Sequence, residues 1–463
     1  MTRFFASAPA PAVDAEVLLG VPWSRPGRCF FAARDGVTVA GLGEAAVVEA
    51  SGAERFAALE AGRKQVLGGL ESLDGSAAPL LVGGFAFADT VEARGPWGGW
   101  APARLVLPDV SFVQDGEARL VAVAPEGMSR DEAAVWTSET LSRLGEALLV
   151  TASLPPETPT DTATGAWGFV ERGEAPTPMA ASAGGLGLVG TVAPPASSTD
   201  PYEELVADGL RAIAAGHLRK VTLARRRRFG RVRGTDARDV LRAFARRYPR
   251  CFRFWIEPPG RPAFAGASPE RLVARRGDRV LADALAGTVG RSPEPAADAN
   301  LGALLLANNK ERREHGAVVD FLRERLGGFA ELDVPPVPEL LKLANVQHLH
   351  TPFVGALRDA TSILDLAAAV HPTPAVAGAP VDVARDWIAR HEELDRGWYS
   401  GGVGVVGPDG QGEFSVAIRS GLFEDDALLL FAGAGIVAGS DPTREAREVE
   451  QKMRALRDLL VEG

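Results

Sequence analysis

The chain has 463 residues, 46% of them hydrophobic and 24% charged, which is enough apolar material to bury a full core and excludes wholesale disorder. Its 50 Lys+Arg stand against 60 Asp+Glu, a formal net charge of −10 that argues against a dedicated nucleic-acid binder. The two cysteines, Cys29 and Cys251, are too few for a disulfide framework or a four-ligand zinc site.

The first residues, "MTRFFASAPAPAVDAEVLLG", contain no continuous apolar core and make a poor signal peptide. No apolar run approaches the roughly 20 residues of a membrane span, so the expectation is a cytoplasmic protein without a membrane partner. Residues 1–150 alternate short apolar runs with turn signals. The turns "RDG" and "QDGEA" predict antiparallel hairpins, and "AAVWTSETLSRLGEALL" has helical spacing. Residues 151–199 are dense in Pro, Thr, Ala and Gly and read as a linker or long loop.

Residues 200–463 carry the stronger signals. "DPYEELVADGLRAIAAGHL" predicts a helix, and "HLRKVTLARRRRF" a strand. Alternation puts Lys220, Thr222 and Ala224 on one face, and Val221, Leu223 and Arg225 on the other. A lysine beside Thr and Ala is either a solvated edge residue or a base in a pocket. Arg225 to Arg228 alternate faces and cannot form one phosphate-reading patch. In "SPERL", Glu270 is either a loop carboxylate or a general acid projecting from a turn. "NLGALLLANNKERREHGAVVDFLRERL" reads as one helix with Val318, Leu322 and Leu326 buried and Glu311, Glu314 and His315 flanking them. His348 and His350 share a strand face but lack a third zinc ligand at suitable spacing.

"GAGIVA", Gly433 to Ala438, matches a dinucleotide fingerprint, but Pro442 delays the helix and the sequence leaves no room for a second strand. What survives is a strand ending in a glycine turn, whose N–H groups could bind a carboxylate. The last helix has Asp441 as N-cap and Ala446, Val449, Met453 and Leu456 as its apolar stripe. Glu445, Glu448 and Lys452 lie along one side, suiting either an exposed ion pair or a site for a hard cation beside a substrate carboxylate. Strands and helices are segregated rather than alternating. The fold class is therefore α+β with antiparallel sheets.

In order and spacing, "KVTLARR", "FAGASPERL", "ALAGT", "KERREH", "QHLHTPF", "HPTPAVAG", "FSVAIR", "FAGAGIVAGSDP" and "EAREVEQK" resemble the chorismate-utilising enzymes: anthranilate, aminodeoxychorismate, salicylate and isochorismate synthases. The resemblance runs from about Asp200 to the C-terminus. It extends more loosely to "VAGLGEAAVVEASGAERFAAL" and "LLVGGFAFAD", which look like the longer, menaquinone-type members. The resemblance implies a large antiparallel-sheet sandwich flanked by helices. It implies that Lys220 is the base activating water for attack at C2 of chorismate, and that Glu270 is the acid protonating the departing C4 hydroxyl. It also implies that Glu314 and Glu448 ligate Mg²⁺. Gly287, Thr288, Ala375, Arg419, Gly433 and Lys452 match substrate-binding positions, and His348 a histidine near the ring. A lysine at 220 matches members that add water rather than ammonia, so no obligatory glutamine amidotransferase partner is expected. The stretch "HPTPAVAG", with Ala375 and Val376, is similar to isochorismate synthases. Salicylate synthase and a siderophore-pathway isochorismate synthase are the alternatives.

Overall fold

A computed structural model describes residues 2–153, 200–230, 236–343 and 346–462. The predicted linker lies outside the described residues from 154 on; its first three residues continue the helix Arg130–Ser153.

Two large sheets form the frame, as the sequence predicts. The first, counted among the described residues, has twelve strands. Gly378–Ala379, Lys220–Gly230 and Ala427–Val437 lie at one side, and Arg3–Pro9 and Leu70–Ser72 at the other. The second has ten, from Ala330–Asp333 and Val346–Leu357 across to Ala46–Ala50. Pairing among the described strands is antiparallel except where Arg3–Pro9 meets Leu70–Ser72. The predicted hairpins form: Arg28–Ala32 with Thr38–Leu42, and Val110–Asp115 with Glu117–Val123. Gly116, the single residue turning the second hairpin, has φ +85°, a conformation that favours glycine.

The boundary near residue 150 divides the sequence but not the sheets. Arg28–Ala32 pairs with Phe252–Glu257 in the first sheet, and Leu81–Phe85 pairs with Gly402–Val406 in the second. Period-two alternation sorts the side chains of the first sheet between two apolar clusters. Leu429 and Phe431 join one, with Trp97, Phe264, Trp398 and Phe414; Leu428 and Leu430 join the other, beneath Val206, Phe244, Val449 and Met453 of three helices. Cys29 and Cys251 are free, buried thiols.

Two expectations are corrected. The stretch predicted as one helix is two, Pro295–Ala307 and Asn309–Gly327, because the Asn308 side chain accepts from the N–H groups of Lys310 and Glu311 and so starts a new helix. The "GAGIVA" segment makes no turn at Gly433. The strand Ala427–Val437 runs on through it, because eleven consecutive residues pair with Lys220–Gly230.

Three of the four arginines of the basic strand are taken by acids: Arg225 by Asp200 at 2.8 Å, Arg227 by Glu450 at 3.5 Å, and Arg228 by Glu424 and Asp426 at 3.1 and 3.0 Å. A second buried group anchors the start of that strand. Arg396 binds Glu392 at 2.6 Å and donates to the carbonyls of Thr222 and Val376, while Glu392 accepts from the N–H of Ala224. Both side chains are at most 2% exposed, so removing one strands the other's charge in the core. Arg396→Met should lower the unfolding free energy by about 3–5 kcal/mol in a urea titration. A loss below about 1 kcal/mol would show that the pair does not hold the strand.

Candidate active site

The strand Lys220–Gly230 places Lys220 and Thr222 against a cavity of about 290 Å³, while Val221 and Leu223 enter the core behind it. Lys220 is 4% exposed, and its Nζ lies 2.7 Å from Glu314 Oε1. It is therefore not a solvated edge residue. Space for this contact comes from Gly435, which pairs with Thr222 across the sheet. A Cβ there would sit 2.6 Å from Glu314 Oε1 and 2.9 Å from Lys220 Cε.

Glu270 follows Pro269 in the tight connection between strands Ala263–Ser268 and Arg271–Arg276. It is 4% exposed, and Oε1 has no hydrogen-bond partner among the described residues. Burial, reinforced by the negative charge of Asp283, pushes its carboxyl up to about 8 against the opposing pull of Lys220 and Arg419. Glu270 is thus a buried acid that keeps its proton at neutral pH.

Gly287 has φ +76° at a register shift in the pairing of Arg279–Gly290 with Val346–Leu357. Beside it, His348 Nδ1 lies 2.9 Å from Thr288 Oγ1 and 3.3 Å from the Gly287 carbonyl, and Nε2 lies 3.1 Å from Arg419 Nη2. A guanidinium can only donate, so Nε2 accepts and Nδ1 carries the proton. Burial, and then the Arg419 charge, lowers the imidazole to about 3, which leaves it neutral. Arg419 adopts φ +52°, a strained conformation for a residue with a side chain, and its buried Nη1 has no partner among the described residues. Such a donor suits a ligand carboxylate.

The acids come from two helices. Glu311 and Glu314 lie on Asn309–Gly327, and Glu445 and Glu448 on Pro442–Glu462; all four line the cavity. Burial raises Glu311, and the charges of Glu314, Glu448 and Glu445 raise it further. Burial likewise raises Glu445, with Glu448 adding to it. Glu448 moves the other way: burial opposes its charge, but Lys452, with Arg444 and Lys310, outweighs burial. Lys452 Nζ lies 2.9 Å from Glu448 Oε1 and donates to the Gly433 carbonyl at 2.9 Å. The ion pair expected on this helix face is present and lines the cavity. Crowded carboxylate oxygens with no soft donor suit a hard divalent cation. No three His, Cys, Asp or Glu side chains among the described residues form a ready metal cage.

Every site residue named from the sequence lines this one cavity: Lys220, Glu270, Gly287, Thr288, Glu314, His348, Ala375, Arg419, Gly433, Glu448 and Lys452. Gly433 does so differently from expectation, as an in-strand residue whose carbonyl holds Lys452 rather than as a turn offering N–H groups. His350 stands apart, between Asp283 at 3.0 Å and Glu339 at 3.1 Å. Sequence reasoning missed Tyr248, Tyr399, Lys310 and Arg444, which also line the cavity. Lys310 and Arg444 were within reach, each standing four residues before Glu314 and Glu448 on the same helix face. The tyrosines carry no local signal.

The family described as chorismate binding enzyme matches residues 6–164 and 190–461. The salicylate biosynthesis isochorismate synthase of Pseudomonas aeruginosa is 35% identical over 451 residues, 95% of this chain and 84% of that one. The isochorismate synthase MenF of Escherichia coli is 39% identical over 260 residues, 56% of this chain and 60% of that one. The solved structure of the menaquinone-specific isochorismate synthase MenF from Escherichia coli superposes with a TM-score of 0.75 at 28% identity, covering 98% and 94% of the two chains. Anthranilate synthase component I from Streptococcus pneumoniae shares the fold, with a TM-score of 0.67 at 19% identity over 92% and 93%. With the antiparallel sandwich, the buried lysine–glutamate pair and the acidic cavity wall in place, these matches make the chain an enzyme of the chorismate-binding family.

Proposed function

We propose that the protein is an isochorismate synthase, acting in the cytoplasm on chorismate without an amidotransferase partner. The observation that carries this reading is the pairing of roles within one cavity: Lys220 against Glu314 on one side, and Glu270 kept protonated by burial on the other. Lys220 takes a proton from water as its oxygen bonds to ring C2. The ring double bonds shift, the C4–O bond breaks, and Glu270 gives its proton to the departing hydroxyl, which leaves as water. One water enters and one leaves, so the product is an isomer of the substrate. Paired acid–base catalysis needs a protonated acid and an unprotonated base: Glu270 supplies the first, and Lys220, the ion-pair partner of Glu314, serves as the second once it has given up its ammonium proton.

Glu314 and Glu448 would hold Mg²⁺, with Glu311 and Glu445 beside them; the ion, when bound, would neutralise a substrate carboxylate. Glu314 is also the ion-pair partner of Lys220, so a cation held by Glu314 would weaken its hold on the Lys220 amine. Arg419, through its unpartnered Nη1, and Lys452 would grip the substrate's carboxylates. Neutral His348, its Nδ1 held by the Thr288 hydroxyl and the Gly287 carbonyl, would fix the Arg419 fork.

The length of the N-terminal part and the whole-chain superposition on MenF support menaquinone supply as the pathway. A salicylate or siderophore route is the second reading, favoured by the relative that aligns over 95% of this chain.

Chromatography of a reaction with chorismate and Mg²⁺, with pyruvate assayed in parallel, tests the activity. Isochorismate without pyruvate, unchanged by ammonium, is expected; salicylate with equimolar pyruvate would assign a lyase instead. Lys220→Ala should abolish turnover with the fold and chorismate binding retained, and a fully active variant would remove Lys220 from the base role. Glu270→Gln should lower turnover by about 10²-fold or more. Its raised carboxyl contributes stability below the unfolded value of 4.5 that is lost as pH rises through about 8. Glu270→Gln should therefore be more stable than wild type at pH 8 and no more stable at pH 4; equal melting curves at both would contradict a buried neutral acid. Glu314→Ala or Glu448→Ala should raise the Mg²⁺ concentration for half-maximal activity at least tenfold, and a titration superimposable on wild type would count against both as ligands.

A further inference from the structure

Beside Arg271, the residue that follows Glu270, lies a buried charge that the reaction does not touch. Asp283 is 4% exposed in the strand Arg279–Gly290. Alternation places it on the same strand face as Leu285, which lines the cavity and pairs in register with His350. Its carboxylate lies 3.0 Å from His350 Nε2, 3.0 Å from Arg34 Nη2 and 3.9 Å from Arg271 Nη1, Arg271 being the residue next to Glu270. Burial opposes its charge, but the His350 hydrogen bond and the Arg34 and Arg271 guanidiniums outweigh burial and hold it below the usual carboxylate range.

The source of Arg34 matters. It belongs to the turn between Arg28–Ala32 and Thr38–Leu42, in the N-terminal part of the chain. Asp35, next to it, binds Arg271 at 2.6 Å, and Glu413 takes the other side of Arg271 at 2.5 Å. Arg34 and Arg271 both face the Phe252 ring, at 5.6 and 5.7 Å. An N-terminal turn therefore completes the charge cluster around Asp283 and Arg271, the residue that follows Glu270 in the chain.

We propose that Asp283 is a positioning residue for the general acid: its buried negative charge, held in place by Arg34, Arg271 and His350, keeps the proton on Glu270. The N-terminal hairpin thereby takes part in the reaction without touching substrate. Three charges act on Glu270, from three elements: Asp283 favours the protonated form, while Lys220 and Arg419 favour the ionised one. Without Asp283 the two cations are opposed by burial alone. The inference rests on Glu270 being the acid that serves the leaving hydroxyl.

The test is the pH dependence of turnover in Asp283→Asn and Asp283→Glu, together with the ¹³C-carboxyl titration of Glu270, assigned by its absence from Glu270→Gln. Asp283→Asn should move the alkaline limb and the Glu270 titration to lower pH by on the order of one unit. Asp283→Glu should restore both. A merely structural role would lower turnover without moving either, and an unmoved carboxyl titration would overturn the proposal whatever happens to turnover. A carboxyl that moves while the limb does not would uphold Asp283 and instead refute Glu270 as the acid. Should Asp283→Asn fold poorly, Arg34→Met serves: with Arg271 and His350 still holding Asp283, the Glu270 titration should rise, and a fall or no change would overturn the proposal.

Discussion

The pairing of Lys220–Gly230 with Ala427–Val437 is the constraint on which the site depends. Eleven residues pair in unbroken register, from Lys220 opposite Val437 to Gly230 opposite Ala427. This register brings Lys220 and Thr222 to the cavity, puts Gly435 where a side chain would displace both Lys220 and Glu314, and leaves the Gly433 carbonyl facing Lys452. A slip of one residue would exchange the lysine for Val221 on the cavity face and drive a charge into the core. The apolar residues behind the strand, Val221 and Leu223 with Leu428 and Leu430, make that slip unfavourable over the whole pairing.

Around this pairing the protein holds acids in three different states. Glu270 is buried without a hydrogen bond to Oε1 and so keeps its proton. Asp283 is buried to a similar depth, yet three basic partners keep it ionised. Glu311, Glu314, Glu445 and Glu448 gather where two helices meet the cavity; burial and the neighbouring carboxylates raise Glu311 and Glu445, while Lys452 holds Glu448 down. Residue type is the same or nearly so in every case; the difference lies in burial and partners.

The two halves of the chain are joined through both sheets and through charge. The Arg28–Ala32 strand adds to Phe252–Glu257, and the turn that follows it delivers Arg34 and Asp35 to Asp283 and Arg271. An N-terminal part read from the sequence as hairpins also supplies charges to the residue that follows Glu270 and to its buried partner.

Much of this was legible in the sequence. Alternation in "KVTLAR" assigned Lys220 to a face, helical spacing found the buried stripe of the last helix, and the order of short motifs gathered eleven site residues that do share one cavity. These depend on periodicity and on residue type, which are local properties. What needed the tertiary structure is whatever arises between distant segments: the strand continuing through Gly433, the proton on Glu270, the tautomer of His348, and the contacts of Arg34. A strand is extended by its partner and a carboxyl is titrated by its neighbours, and neither partner nor neighbour is adjacent in sequence. Local pattern determined which residues could serve the chemistry; only packing decided their charge.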